Sequence, residues 1–135
     1  MSETIDKLAV VAQLNRILEH ELACAVRYTH YSFMVFGFSR IPIVQWLRTQ
    51  CDDCIKHAHQ VGELVTHLGE HPSLAIGDLL ETHKHDIGQI LREALAMEQK
   101  GVDQYRELHT LVQGKCLLLE EFTRTMIMQE ELHIG

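Results

Sequence analysis

Two sets of side chains recur at matched intervals in this chain. Glu21 is followed 33 residues later by Cys54, with His57 three positions beyond; Glu98 is followed 32 residues later by Glu130, with His133 three positions beyond. Each lone Glu has a Tyr seven positions on, Tyr28 and Tyr105, which on a helix lies two turns along the same face. Residues at i and i+3 share a helical face, so a carboxylate or thiol and an imidazole placed there can reach one ion or two adjacent ions. Two divalent ions about 3.5–4 Å apart need carboxylates to neutralise them and a nitrogen each, with positions left open for dioxygen. The spacing therefore predicts a metal centre with Glu21, Cys54, His57, Glu98, Glu130 and His133 as ligands. Tyr28 is the candidate catalytic residue beside it, although a buried tyrosine more commonly fills the core with its hydroxyl on an acceptor. One Glu-x-x-His alone describes an ordinary solvated helix face; the duplication is what points to metal.

Four elements must position these residues. No Gly or Pro occurs between Thr4 and Phe36, and Leu8, Val11, Leu14, Ile17, Leu18, Leu22, Ala25 and Tyr28 fall at helical spacing, which predicts a first helix over about 4–36. Gly37 breaks it, Ser39 can cap and Pro42 suits a first turn, so a second helix is expected over 42–68, closed by Gly69. Asp78-Leu-Leu-Glu81 has capping-box spacing and predicts a third helix over 79–112. Gly114 then permits a turn into a fourth over 115–133. The two short junctions make successive helices antiparallel neighbours, and a middle connection of about ten residues would be a crossover along the bundle. The expectation is an all-α antiparallel four-helix bundle in one domain, 1–135, with a long crossover between helices two and three.

Composition agrees with few, long elements: only 8 Gly and 2 Pro interrupt 135 residues, and 46% apolar residues can fill a core. A formal charge of −7 argues against a nucleic-acid backbone as partner and suits the uptake of cations. The N-terminus lacks a basic segment followed by an apolar block, and no apolar run approaches the roughly 20 residues of a membrane span, so a cytoplasmic protein is expected. Its four Cys are then reduced thiols.

The chain resembles the bacterioferritins of the ferritin-like superfamily, from Leu14 to His133, on His-Glu-Leu-Ala around Glu21, Lys-His-Ala at 56–58, Leu-Ala-Met-Glu ending at Glu98 and Glu-Glu-Leu-His ending at His133. The Glu, Glu-x-x-His set from each half is the di-iron pattern of such bundles. The resemblance implies two iron ions per chain, oxidation of iron(II) by dioxygen, iron storage or detoxification, and homo-oligomeric dimers building a hollow shell. It makes Glu21 and Glu98 terminal carboxylates, Glu130 a bridging carboxylate, and His57 and His133 the terminal imidazoles. Three departures stand out. Cys54 replaces the other bridging Glu, and a softer thiol there alters metal preference or redox chemistry; Asp53, four residues before His57, is a conceivable substitute. Ile55 occupies the position of the haem-binding Met and has no donor, so no haem is expected. The chain also stops two residues after His133, where the family's fourth helix would continue and a short fifth follow.

The remaining candidates read blandly. Cys51 and Cys54, an i, i+3 pair mid-helix, are poorly placed for a disulfide, and Cys24 and Cys116 read as small buried hydrophobes. His83, His85 and His109 read as exposed or interhelical, with secondary metal sorption the lesser reading; His20, His30, His59, His67 and His71 carry no assigned role. Trp46 and Phe33, Phe36 and Phe38 are core or subunit contact. Two other functions remain open: a catalytically altered or purely structural member of the fold, and a rubrerythrin-like peroxide reductase, against which Gly101 stands where that family adds a Glu.

Overall fold

The computed structural model describes residues 4–134; Met1 to Glu3, where the export-signal reading begins, and Gly135 lie outside the described residues. The described residues form four helices: α1 (Lys7–Met34), α2 (Arg40–His67), α3 (Ile87–Val112) and α4 (Leu117–Ile134). Asp6 starts α1, its carboxylate accepting the Ala9 amide at 3.2 Å. Gly37, at φ +105°, makes the turn into α2. Pro42 sits third in α2, where its missing N–H is one of the four that have no intrahelical partner. Ser39 flanks that helix, but its side chain makes no capping bond.

The start of α3 corrects the sequence reading. The helix begins at Ile87, capped by Asp86, whose carboxylate accepts the Gln89 amide at 3.0 Å; Asp78 lies well before it, in the connection. Glu81, the other half of the expected capping box, accepts instead the His83 amide at 2.6 Å, and His83 takes a left-handed φ of 58°. The backbone turns there and cannot continue as a helix. The connection between α2 and α3 is consequently 68–86, nearly twice the expected length.

This segment is a crossover running along α1. Asn15 accepts the Ser73 amide at 2.9 Å, Ser73 Oγ donates to Glu19 at 2.6 Å, the Gly77 amide donates to the Glu19 carbonyl at 2.9 Å, and Glu81 reaches His30. Its contacts thus climb from Asn15 to His30, about 22 Å of helix axis. Gly77 lies so close to α1 that a Cβ there would stand 3.0 Å from the Glu19 carbonyl oxygen. With the crossover, α1 and α3 become antiparallel neighbours, Tyr28 beside Glu98 and Glu21 beside Tyr105, while α2 and α4 face each other across a cleft.

The bundle interior holds two apolar clusters. One gathers Val10, Leu14, Ile17, Val61, Val65, Leu108, Val112 and Leu119; the other gathers Ala25, Tyr31, Val35, Val44, Leu47, Ile90, Ala94 and Met97. Glu21, His57 and Glu98 fall on the stretches of helix between them, while Tyr28 and Cys54 belong to the second cluster and Tyr105 to the first. Among the described residues, no helix is long and apolar enough to cross a membrane.

Candidate metal centre

All four helices contribute. Glu21 and Cys54 are buried on α1 and α2, and His57, one turn beyond Cys54, places Nδ1 3.0 Å from Glu21 Oε2 and 3.8 Å from Glu130 Oε1. Glu98 of α3 lies close enough to Glu130 of α4 for the two carboxyls to interact. A cavity of about 280 Å³ opens between α2 and α4, with Cys54, His57, Glu98, Glu130 and His133 on its walls. Five of the six predicted side chains therefore line one cavity, and Glu21 joins them through His57. His133 stands apart from the rest: it is exposed in the last turn of α4, its ring stacked on Trp46 at 6.2 Å and 10°. Asp53 is exposed at the cavity mouth.

The two tyrosines cross over between the halves. Tyr105 donates to Glu21 at 2.9 Å and Tyr28 donates to Glu98. Seven residues span about 10 Å along one helix, too far for a Tyr to reach its own Glu, whereas the antiparallel neighbour brings the other half's carboxylate alongside. Burial and the adjacent carboxylates hold both phenols above their ordinary range, so each hydroxyl stays protonated as a donor and fixes one carboxylate oxygen.

Cys24 and His20, read from sequence as core and as unassigned, belong to the same neighbourhood. Ligating atoms of Glu21, Cys24 and Cys54 all lie within 4.8 Å of one another. Cys24 Sγ is 3.4 Å from His20 Nε2, which is itself 3.0 Å from the Met97 carbonyl. The hydrogen bond from Cys54, with help from His20, lowers the Cys24 thiol to about 7, while the same thiol pairing, burial and Glu21 push Cys54 up. The signal for Cys24 was available: Glu21-x-x-Cys24 has the i, i+3 spacing that marks the ligand pairs on α2 and α4. Cys51 turns away from Cys54 toward Thr29, 3.2 Å off, and all four cysteines are free.

Carboxylates outnumber ammonium groups on the pocket walls, where Lys56 stands against Asp53, Glu98 and Glu130. Burial, then the hydrogen bond and charge of Glu98, raise the Glu130 carboxyl to about 10, and Glu130 Oε2 is buried without a hydrogen-bond partner. Burial works against the charged form of His57, but its bond to Glu21 and the surrounding carboxylates outweigh it and raise its pKa. An unpartnered carboxylate oxygen among two further carboxylates and two thiols is expensive to bury; a divalent cation at that position would satisfy it. Hard carboxylates, an imidazole and softer thiols together suit iron or zinc rather than magnesium or calcium.

The family model for the ferritin-like domain matches residues 11–134. This chain belongs to the ferritin-like family. Among solved structures, this ferritin-like chain is similar to a ferritin-like, diiron-carboxylate protein from Bacillus anthracis str. Ames, at 22% identity and a TM-score of 0.85, covering 99% of this chain and 94% of that one. It is also similar to a dodecameric thioferritin, the bacterioferritin-related protein from Bacteroides fragilis, at 19% identity and a TM-score of 0.88, covering 97% of this chain and 83% of that one. At these identities the likeness establishes the fold. No curated protein sequence matches.

Proposed function

We propose that this ferritin-like protein handles iron as bacterioferritins do, taking up iron(II) through the cleft between α2 and α4, oxidising it with dioxygen and retaining it for storage or detoxification. The observation that carries this reading is the buried, unpartnered oxygen of Glu130, a residue on the cavity wall, set among donors from four helices. Glu21, His57, Glu98 and Glu130 would hold the resident ions, with His133 closing over them from the rim and Cys54 in place of a second bridging carboxylate. A pair of iron ions, when bound, supplies the electrons for dioxygen reduction. The chain's own groups do the rest: Tyr28 and Tyr105 orient the two lone carboxylates, and His57 and Glu130 give up protons as cations enter. In this reading Tyr28 acts on the centre by positioning Glu98. Exposed Phe33, Phe36, Phe38 and Ile41 near the α1–α2 turn form an apolar patch suited to contact between copies in a shell; the similar thioferritin of Bacteroides fragilis is a dodecamer.

The internal pairing of His57 with Glu21, of each Tyr with a Glu, and of Cys24 with Cys54 favours a second reading, a structural member of the fold that satisfies its polar residues without metal. Anaerobic iron(II) titration followed by admission of air separates the two. The proposed function predicts bound iron(II) at up to two equivalents per chain and a ferric absorbance that grows after air; absence of bound iron at micromolar protein and metal selects the structural reading.

A further inference from the structure

Outside the bundle core, a second group of ligating side chains is assembled by the crossover. Glu81 and His30 are 51 positions apart in sequence, yet Glu81 Oε2 pairs with His30 Nε2 of α1, while Glu81 Oε1 lies 3.3 Å from His85 Nε2. Ligating atoms of all three residues fall within 4.8 Å of one another, and the imidazole rings of His30 and His85 are 6.1 Å apart, nearly edge to face. Nitrogen and oxygen ligands about 2.0–2.1 Å from a tetrahedral ion stand about 3.3 Å from each other; the Glu81 to His85 separation is already such an edge. The carboxylate is held in place before any ion arrives, because Oε1 also accepts the His83 amide at 2.6 Å. His30 rides on a rigid helix, and His85 directly precedes the residue that caps α3. The three side chains are 27–43% exposed, so the remaining coordination positions face water and an ion has a path in. A third imidazole, His83, lies 6.4 Å from His85, ring to ring.

We propose that His30, Glu81 and His85 form a second metal site, for a divalent first-row cation of the zinc type, which pins the crossover to α1. Two imidazoles and one carboxylate are a donor set that such ions favour over magnesium or calcium. The site shares no residue with the core centre and contains no thiol, so it stands or falls independently of the iron-handling reading.

The test uses the metal-free full chain, with zinc competed against a chromophoric chelator and cobalt(II) read by absorbance. Cobalt beside Cys24 and Cys54 gives sulfur-to-metal charge-transfer absorption, whereas cobalt at the crossover gives none. The parent is expected to bind one zinc more than His85→Gln or His30→Gln, or to bind that equivalent at least about tenfold more tightly, with the sulfur band unchanged in both variants. Zinc should also slow proteolytic cleavage within residues 68–86 in the parent and leave it unaltered in the variants. Equal zinc stoichiometry and affinity in parent and His85→Gln would overturn the proposal, as would cleavage that zinc does not slow. His85 lies outside the helices, so His85→Gln with the parent's circular dichroism keeps the test valid even where His30→Gln folds poorly.

Discussion

Glu21, Cys54 and His57 in the first half, and Glu98, Glu130 and His133 in the second, share one sequence pattern but not one environment. The first set is the more enclosed: Glu21 and Cys54 are buried, and the His57 ring pairs with Glu21. The second opens outward: Glu130, with one buried orphaned oxygen, lines the cavity and His133 lies on Trp46 at its rim. Duplication of spacing has kept the helical register, while the neighbours, a thiol partner on α1 for Cys54 and a last helical turn for His133, make the two halves unequal. A symmetric sequence motif thus yields a centre with a fixed side and an adjustable side.

Breaking the comparison at its imidazoles should have the largest effect. His57→Ala is expected to weaken iron(II) binding by at least about 100-fold, more than loss of a supporting hydrogen-bond partner typically does, and His133→Ala by less than about tenfold, both read by anaerobic equilibrium titration. Equal losses would show that the rim histidine swings fully in. Restoring symmetry comes next: Cys54→Glu supplies the second bridging carboxylate, and stopped-flow absorbance after mixing with oxygenated buffer should show iron oxidation accelerated by about tenfold, roughly 1.4 kcal/mol of barrier. No acceleration would mean that the thiol does not limit the chemistry.

The tyrosines sharpen the comparison further. Tyr105→Phe strips a donor from fully enclosed Glu21 and should destabilise the metal-free chain by about 1–3 kcal/mol; Tyr28→Phe acts on half-buried Glu98 and should cost less, as measured by denaturant unfolding. A pH effect tests the second set alone. Because the Glu130 carboxyl is raised from 4.5 to about 10, its stabilising share is full below pH 4.5 and is lost as pH rises toward about 10. The metal-free parent should therefore melt at a lower temperature at pH 9 than at pH 5, and Glu130→Gln should flatten that slope. Identical slopes would show that Glu130 is already ionised at neutral pH.

Much of this was written in local pattern. Helical period and the scarcity of Gly and Pro marked four helices, and i, i+3 pairs marked His57, Glu130 and His133, because both signals depend only on near neighbours in sequence. The start of α3 is hidden for the opposite reason. Asp78 to Glu81 is locally a good capping box, but Glu81 is claimed by His30, 51 residues away, and by the His83 amide; a tertiary contact outweighed a local preference. Cys24 is a similar case, since a small residue on an apolar helix face looks like core until the facing helix brings a second sulfur to it. The tyrosine pairing likewise required the antiparallel register of α1 and α3, which no single helix reveals.

The division of the apolar interior into two clusters, one on either side of the polar layer, has an evolutionary consequence. One end holds all four helices by its own greasy contacts and the other holds α1, α2 and α3, leaving the waist free to vary. A carboxylate could be exchanged for a sulfur there without dismantling the scaffold, so the same framework can explore new inorganic chemistry while remaining folded.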